Sequence, residues 1–238
     1  MRLDKCMEVA KIGSRKQVKK LFKAQQIWID DQPAHALSQI VDPALQEIVI
    51  QGKQIALAGA SYFLLHKPAG VVSAVTDSQH QTVIDCIQPE NRAPGLYPVG
   101  RLDRDTEGLV LITNNGPLGF RMLHPKHHVD KTYYVEVNGP LGQDAPTFFA
   151  SGVTFLDGTR CQPCQLTVDF SSLEHSRATI QLSEGKFHQI KKMFLAYGVK
   201  VTYLRRISFG GFALGDLPLG QYRTLTQTEI QHLLTYFD

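Results

Sequence analysis

The sequence lacks any apolar run long enough to cross a membrane, and its opening MRLDKCMEVAKIG has no apolar signal-peptide core. A cytoplasmic protein without a membrane partner is expected. Cysteine is scarce: four residues cannot scaffold a chain of 238. Cys161-Gln162-Pro163-Cys164 is a lone CxxC. Zinc would need two further ligands at suitable spacing, and a thioredoxin-like role would need a strand-to-helix turn. Two ordinary thiols in a loop is the preferred reading. GxGxxG and Walker P-loop motifs, internal repeats and low-complexity segments are also missing. What remains, 43% hydrophobic and 20% charged residues, is ordinary globular composition. It suffices for one large core, or for a small and a larger domain.

The net charge of +3 conceals an asymmetry. Residues 1–25 hold eight cations, Arg2, Lys5, Lys11, Arg15, Lys16, Lys19, Lys20 and Lys23, against Asp4 and Glu8, a net +6. Residues 26–60 come to −3, and residues 61–238 balance. A localised basic face is a footprint for a polyanion. A charge run alone is more often a solvated helix face.

Residues 1–57 read as a small module. Ser14 and Gln17 form a capping box that starts a helix. Val18, Leu21 and Phe22 make its apolar stripe. Ile27–Ile29 and Glu47–Ile50 read as strands, with a turn over Asp30–Pro33. Residues 58–61 read as a linker, and residues 62–238 as a larger domain. There, strands are expected at Tyr62–Leu65, Thr132–Val137, Gln165–Val168 and Thr179–Leu182. Helices are expected at Pro117–Leu123, Asp144–Ala150, His188–Tyr197 and Gln227–Phe237. No regular βαβ alternation appears, so the class is α+β with a mixed, mainly antiparallel sheet flanked by helices.

Gly100-Arg101-Leu102-Asp103-Arg104-Asp105-Thr106 precedes the apolar run Leu109–Ile112. If the segment is extended, Arg101, Asp103 and Asp105 point one way and Leu102 the other. Asp103 and Asp105 could hold a metal for phosphoryl or glycosyl transfer, or divide acid and base roles. One Asp could also act alone, kept ionised by a cation. A surface turn with ion pairs is the bland reading. Other segments shift the balance. Ser183–Met193 is a loop entering a helix, with Lys186, His188, Lys191 and Lys192, and a helix start with nearby cations suits phosphates. Asp130–Tyr134 brings rings able to stack on a base. Together with the basic arm, these segments favour an enzyme acting on RNA.

The chain resembles the RsuA-type ribosomal RNA pseudouridine synthases over nearly its whole length. Residues 1–57 are similar to an S4 RNA-binding domain. His66-Lys67-Pro68-Ala69-Gly70 resembles the family's KPxG motif, and Gly100–Leu109 its catalytic GRLDxDTxGL motif. Lys131-Thr132-Tyr133 resembles KTY. Glu184–Met193 is similar to the segment whose basic residue neighbours the catalytic Asp. Leu204, Arg206, Gly210, Leu214, Gly220, Arg223 and Leu225 fit the C-terminal pattern. The resemblance implies Asp103 as the catalytic carboxylate, acting on C1′ as nucleophile or on the C2′ proton as base. Lys191 would pair with Asp103, Tyr133 would stack on the target base, and Arg101 would replace the flipped uridine. Asp105 and Thr106 would hold the loop, supported by Lys67 and Ile190. Arg2, Lys5, Arg15, Lys16, Lys19, Lys20, Lys23, Lys186, His188 and Arg206 would touch RNA. No redox cofactor or metal is implied. The partner would be ribosomal RNA or an assembling subunit, with the protein a monomer. The small-subunit branch fits better than the large-subunit branch, because a basic C-terminal tail is missing. Two rival readings remain: a non-catalytic assembly factor, and a metal-dependent transferase using Asp103 and Asp105.

Overall fold

The computed structural model describes residues 1–237. Residues 1–57 contain α1 (Leu3–Val9), α2 (Arg15–Lys23), β1 (Ile27–Ile29), β2 (Gln32–Pro33), β3 (Ile48–Ile50) and β4 (Lys53–Gln54). The strands form one sheet in the order β2-β1-β3-β4. Ser14 caps α2 reciprocally: Gln17 Oε1 accepts from the Ser14 N–H at 2.7 Å, and Ser14 Oγ accepts from the Gln17 N–H at 3.4 Å. Alternation in β1 and β3 turns Ile27, Ile29, Ile48 and Ile50 onto Leu3, Cys6, Met7 and Val18. The expected turn is confined to Asp30-Asp31, because Gln32 and Pro33 pair with β1.

A buried polar joint links this region to the larger sheet. The Tyr62 hydroxyl donates to Asp42 at 2.5 Å, Asn115 Nδ2 donates to the Tyr62 oxygen at 2.9 Å, and the Ala60 N–H donates to Asp42 at 3.0 Å.

The second sheet has nine strands. They are β5 (Tyr62–Lys67), β6 (Tyr97–Val99), β7 (Glu107–Thr113), β8 (Lys131–Val137), β9 (Gln165–Ser171), β10 (Ser176–Leu182), β11 (Val201–Phe209), β12 (Phe212–Ala213) and β13 (Tyr222–Thr224). The path is β13-β5-β7-β11-β8-β10-β9, with β6 on β7 and β12 on β11. Every pairing is antiparallel except β7 with β11. Helices α3 (Gly116–Leu123), α4 (Ala145–Ala150), α5 (Gln189–Tyr197) and α6 (Gln227–Leu234) pack around it. α6 stops three residues short of the expected end, because Thr235, Tyr236 and Phe237 bond into a tighter closing turn. β11 was not anticipated: adjacent Arg205 and Arg206 disguise an alternation that buries Leu204 and Arg206.

β7 is buried on both faces. Val110 and Ile112 join one core with Phe63, Leu65 and Tyr133, while Leu109 and Leu111 join a second with Leu64, Phe209 and Met122. The charged GRLDRDT stretch is the loop entering this strand. Gly108, at φ +113°, is required where β7 and β11 touch, since a Cβ there would collide with the Arg206 backbone.

Candidate active site

The loop ahead of β7 turns rather than running extended, since the Thr106 N–H donates to the Asp103 carbonyl at 3.1 Å. Leu102 is buried, Arg101 is exposed, and Asp103 and Asp105 both face Lys191. The Lys67 ammonium lies behind the loop, fully buried, and donates to the carbonyls of Pro68 at 2.9 Å, Arg104 at 3.1 Å and Thr106 at 2.8 Å. The Gly70 N–H reaches the Arg104 carbonyl at 2.8 Å. Ser73 Oγ both donates to the Leu102 carbonyl and accepts from its N–H, each at 3.0 Å. Lys67 is therefore a brace for the loop backbone. Burial pushes its ammonium down to about 8. Ser73 was missed; its closeness to the KPAG stretch is the only hint the sequence holds. Thr106 is buried, and its hydroxyl has no partner among the described residues.

Lys191 projects from the first turn of α5, with its Nζ 3.1 Å from Asp103 Oδ2 and 2.6 Å from Asp105 Oδ1. Desolvation opposes charge on Lys191 and on Asp105, but their hydrogen bond and attraction outweigh it. The lysine is held above its ordinary range and the Asp105 carboxyl below its own. His188, the residue before α5, has the left-handed φ of +53°. Its Nε2 is 3.7 Å from Asp103 Oδ1, and its ring stacks on exposed Phe187 at 3.8 Å. Ile190 is buried beside Lys191. Glu184 ties the preceding loop together, pairing with Lys186 and accepting from the Gln162 N–H at 2.9 Å and Gln189 Nε2 at 2.6 Å.

Asp103, Lys191, His188, Ile190, Glu184 and Ser73 line one groove of about 1020 Å³, which also contains Arg101, Tyr133, Lys131 and Arg206. Tyr133 is 8% exposed and presents its ring from the middle of the sheet. Arg206 is buried at the groove floor rather than free on the surface. The N-terminal cations lie elsewhere. Arg2 pairs with Asp4 and Lys5 with Glu8, both at 2.8 Å. Arg15, Lys16, Lys19, Lys20 and Lys23 are exposed on α2, with no ion pair among the described residues. Cys161 and Cys164 are buried free thiols, pushed up by burial to about 11 and about 12. They are core groups, poorly suited to nucleophilic or ligand chemistry.

A carboxylate held by a lysine, beside a tyrosine in an open groove, is an arrangement suited to chemistry at one acidic side chain. Residues 61–196 match the family model described as RNA pseudouridylate synthase, and the chain belongs to that family. It is 39% identical over 235 residues to an uncharacterised RNA pseudouridine synthase of Bacillus subtilis, covering 98% of each chain. It is 34% identical over 233 residues to the ribosomal small subunit pseudouridine synthase A of Escherichia coli, covering 97% of this chain and 98% of that one. A crystal structure of a pseudouridylate synthase superposes with a TM-score of 0.67 at 31% identity, covering 98% of this chain and 99% of the other.

Proposed function

We propose that this protein isomerises a uridine of small-subunit ribosomal RNA to pseudouridine, with Asp103 as the one catalytic carboxylate. The observation that carries the reading is the 3.1 Å contact between Lys191 and Asp103 in the groove that also holds Tyr133. The reaction breaks the C1′–N1 bond, turns the uracil and joins C5 to C1′. C5 then gives up its proton and N1 ends protonated. Asp103 acts either by attacking C1′ or by taking the C2′ proton, and Lys191 balances its charge. The Lys191 ammonium fills the gap between Asp103 and Asp105, which favours single-carboxylate chemistry over a metal held by both. Tyr133 offers a stacking face, and Arg101 is exposed and free to fill the stack vacated by the flipped base.

Residues 1–57 act as an S4-like RNA-binding module joined through 58–61 to a catalytic domain over 62–238. The unpaired cations of α2 supply phosphate contacts, with Arg2, Lys5, Lys186 and His188 as further contacts. The relatives named for the small ribosomal subunit support 16S RNA, free or in an assembling subunit, as substrate. The protein works as a cytoplasmic monomer. Mapping pseudouridines in rRNA of a deletion strain, with and without complementation, tests this. Loss of one 16S site, restored by the wild-type gene and not by Asp103→Asn, is expected. Loss from 23S RNA alone would overturn the subunit assignment. An unchanged map, together with no conversion by purified protein, would overturn the activity.

A further inference from the structure

Lys131 and Arg206 take no part in the chemistry above, yet both line the groove around Asp103. Their charged ends pack on one ring: Lys131 Nζ and the Arg206 guanidinium carbon lie 5.7 and 4.9 Å from the centre of Phe209. Arg206 is 1% exposed. Its Nε donates to the Leu109 carbonyl at 2.7 Å, while its Nη2 is buried without a partner among the described residues. The guanidinium lies beside Gly100, where the catalytic loop begins, and Arg206 stands across the sheet from Tyr133. Lys131 is half-buried and donates to the carbonyls of Val129 at 2.6 Å and Ser183 at 3.4 Å. Among the described residues, neither cation pairs with a carboxylate. The adjacent Asp130 accepts instead from Gln181 Nε2 at 3.0 Å.

Two desolvated like charges repel, and buried charges are costly without a counter-charge. Burial and the Arg206 charge accordingly push Lys131 down to about 8. Such a pair is kept at an open groove when an anion completes it. A neutral uracil carbonyl cannot balance two cations. A phosphodiester carries a full charge, and its two non-bridging oxygens can accept from an ammonium and a guanidinium together. We propose that Lys131 and Arg206 form an anion subsite for the phosphodiester next to the flipped uridine. The subsite rests on the reading of this groove as an RNA site. It fixes the strand where it must turn, and it uses a charge pair separate from the Asp103–Lys191 contact.

The test uses the full-length protein and a stem-loop spanning the mapped uridine, with single methylphosphonates placed on either side of it. Lys131→Met keeps the stem of the side chain, and its folding is checked by thermal unfolding. It should weaken binding about tenfold, as loss of a charged hydrogen bond does. The log–log salt slope should flatten by roughly 0.7–0.9, the value for one phosphate. At one methylphosphonate position the wild type should lose the same factor, and Lys131→Met should lose nothing more. Lys131→Arg should restore most of the affinity. Wild-type affinity in Lys131→Met would overturn the subsite. So would losses that add at every methylphosphonate position, or a defect in turnover alone, which would point to contact with the base. Pseudouridine formation by the wild type is read separately on the unmodified RNA, so a failure of the isomerase reading is distinguishable from a failure of the subsite.

Discussion

The ammonium of Lys191 stands between two carboxylates of one turn, 2.6 Å from Asp105 and 3.1 Å from Asp103. The shorter contact is the weaker claim on function. The Asp105 side chain is 71% exposed and that of Asp103 only 27%, so water screens the first pair far more than the second. Asp105 steadies the lysine, and Asp103 is the carboxylate sheltered inside the groove.

That ranking predicts unequal mutants. Asp103→Asn is nearly isosteric, so the fold and RNA affinity should persist while pseudouridine formation falls to background. Asp105→Asn removes an exposed pair worth about 0.2–1 kcal/mol, so the rate should drop only a few-fold. Single-turnover assays on an rRNA fragment measure both. Equal severity, with a residual rate that responds to added Mg²⁺, would favour the metal reading instead.

Lys191→Met should slow the chemical step at least tenfold while leaving RNA binding nearly unchanged. A hydrogen bond to a charged group contributes about 1.5–3 kcal/mol, and here it acts on the carboxylate proposed to react. Lys191→Arg should recover part of the rate. The split between single-turnover rate and RNA affinity checks this, and a wild-type rate in Lys191→Met would rule out the pairing as functional.

Lys67 should give opposite pH signs for stability and activity. Its ammonium titrates near about 8 when folded, against 10.5 ordinarily. Between these values the unfolded chain binds more protons, so this residue's contribution to stability rises with pH and is complete above 10.5. Turnover should behave otherwise. A neutral amine has two protons for three carbonyls, so the Asp103 loop loses a tether above pH ~8. Lys67→Met should lower the rate and remove this alkaline limb. Urea melts and pH–rate profiles of the two proteins provide the measurement, and an identical limb in the variant would exclude Lys67 as its source.

Changing Arg15, Lys16, Lys19 and Lys20 together should weaken RNA binding and lower the log–log salt slope by roughly 0.7–0.9 for each phosphate no longer neutralised. These side chains are exposed and outside the packed core, so thermal unfolding should stay close to wild type. Filter binding across a salt series would reveal mere solvation as an unchanged slope.

Much of this protein is written in local pattern. The Ser14–Gln17 box starts α2, and the apolar run after GRLDRDT forms β7. Both signals are readable because each depends on a few neighbouring residues and their periodicity. β11 escaped because its two arginines break the apolar alternation that marks a strand, and only the groove and Phe209 explain why Arg206 faces inward. The sequence offered Arg206 as an RNA-touching cation like those on α2, and Lys67 as a support of the loop, with nothing to show how either is buried. The fold made Lys67 a buried brace, buried Arg206 against the Phe209 ring, and left the α2 lysines in water. Lys191 reaches Asp105 across 86 residues, and Lys67 reaches Thr106 across 39. Local preferences set which residues can form a helix, a strand or a turn. Which charges meet, and in how much water, is fixed only when distant segments are packed, since burial and distance set the strength of every charge–charge contact.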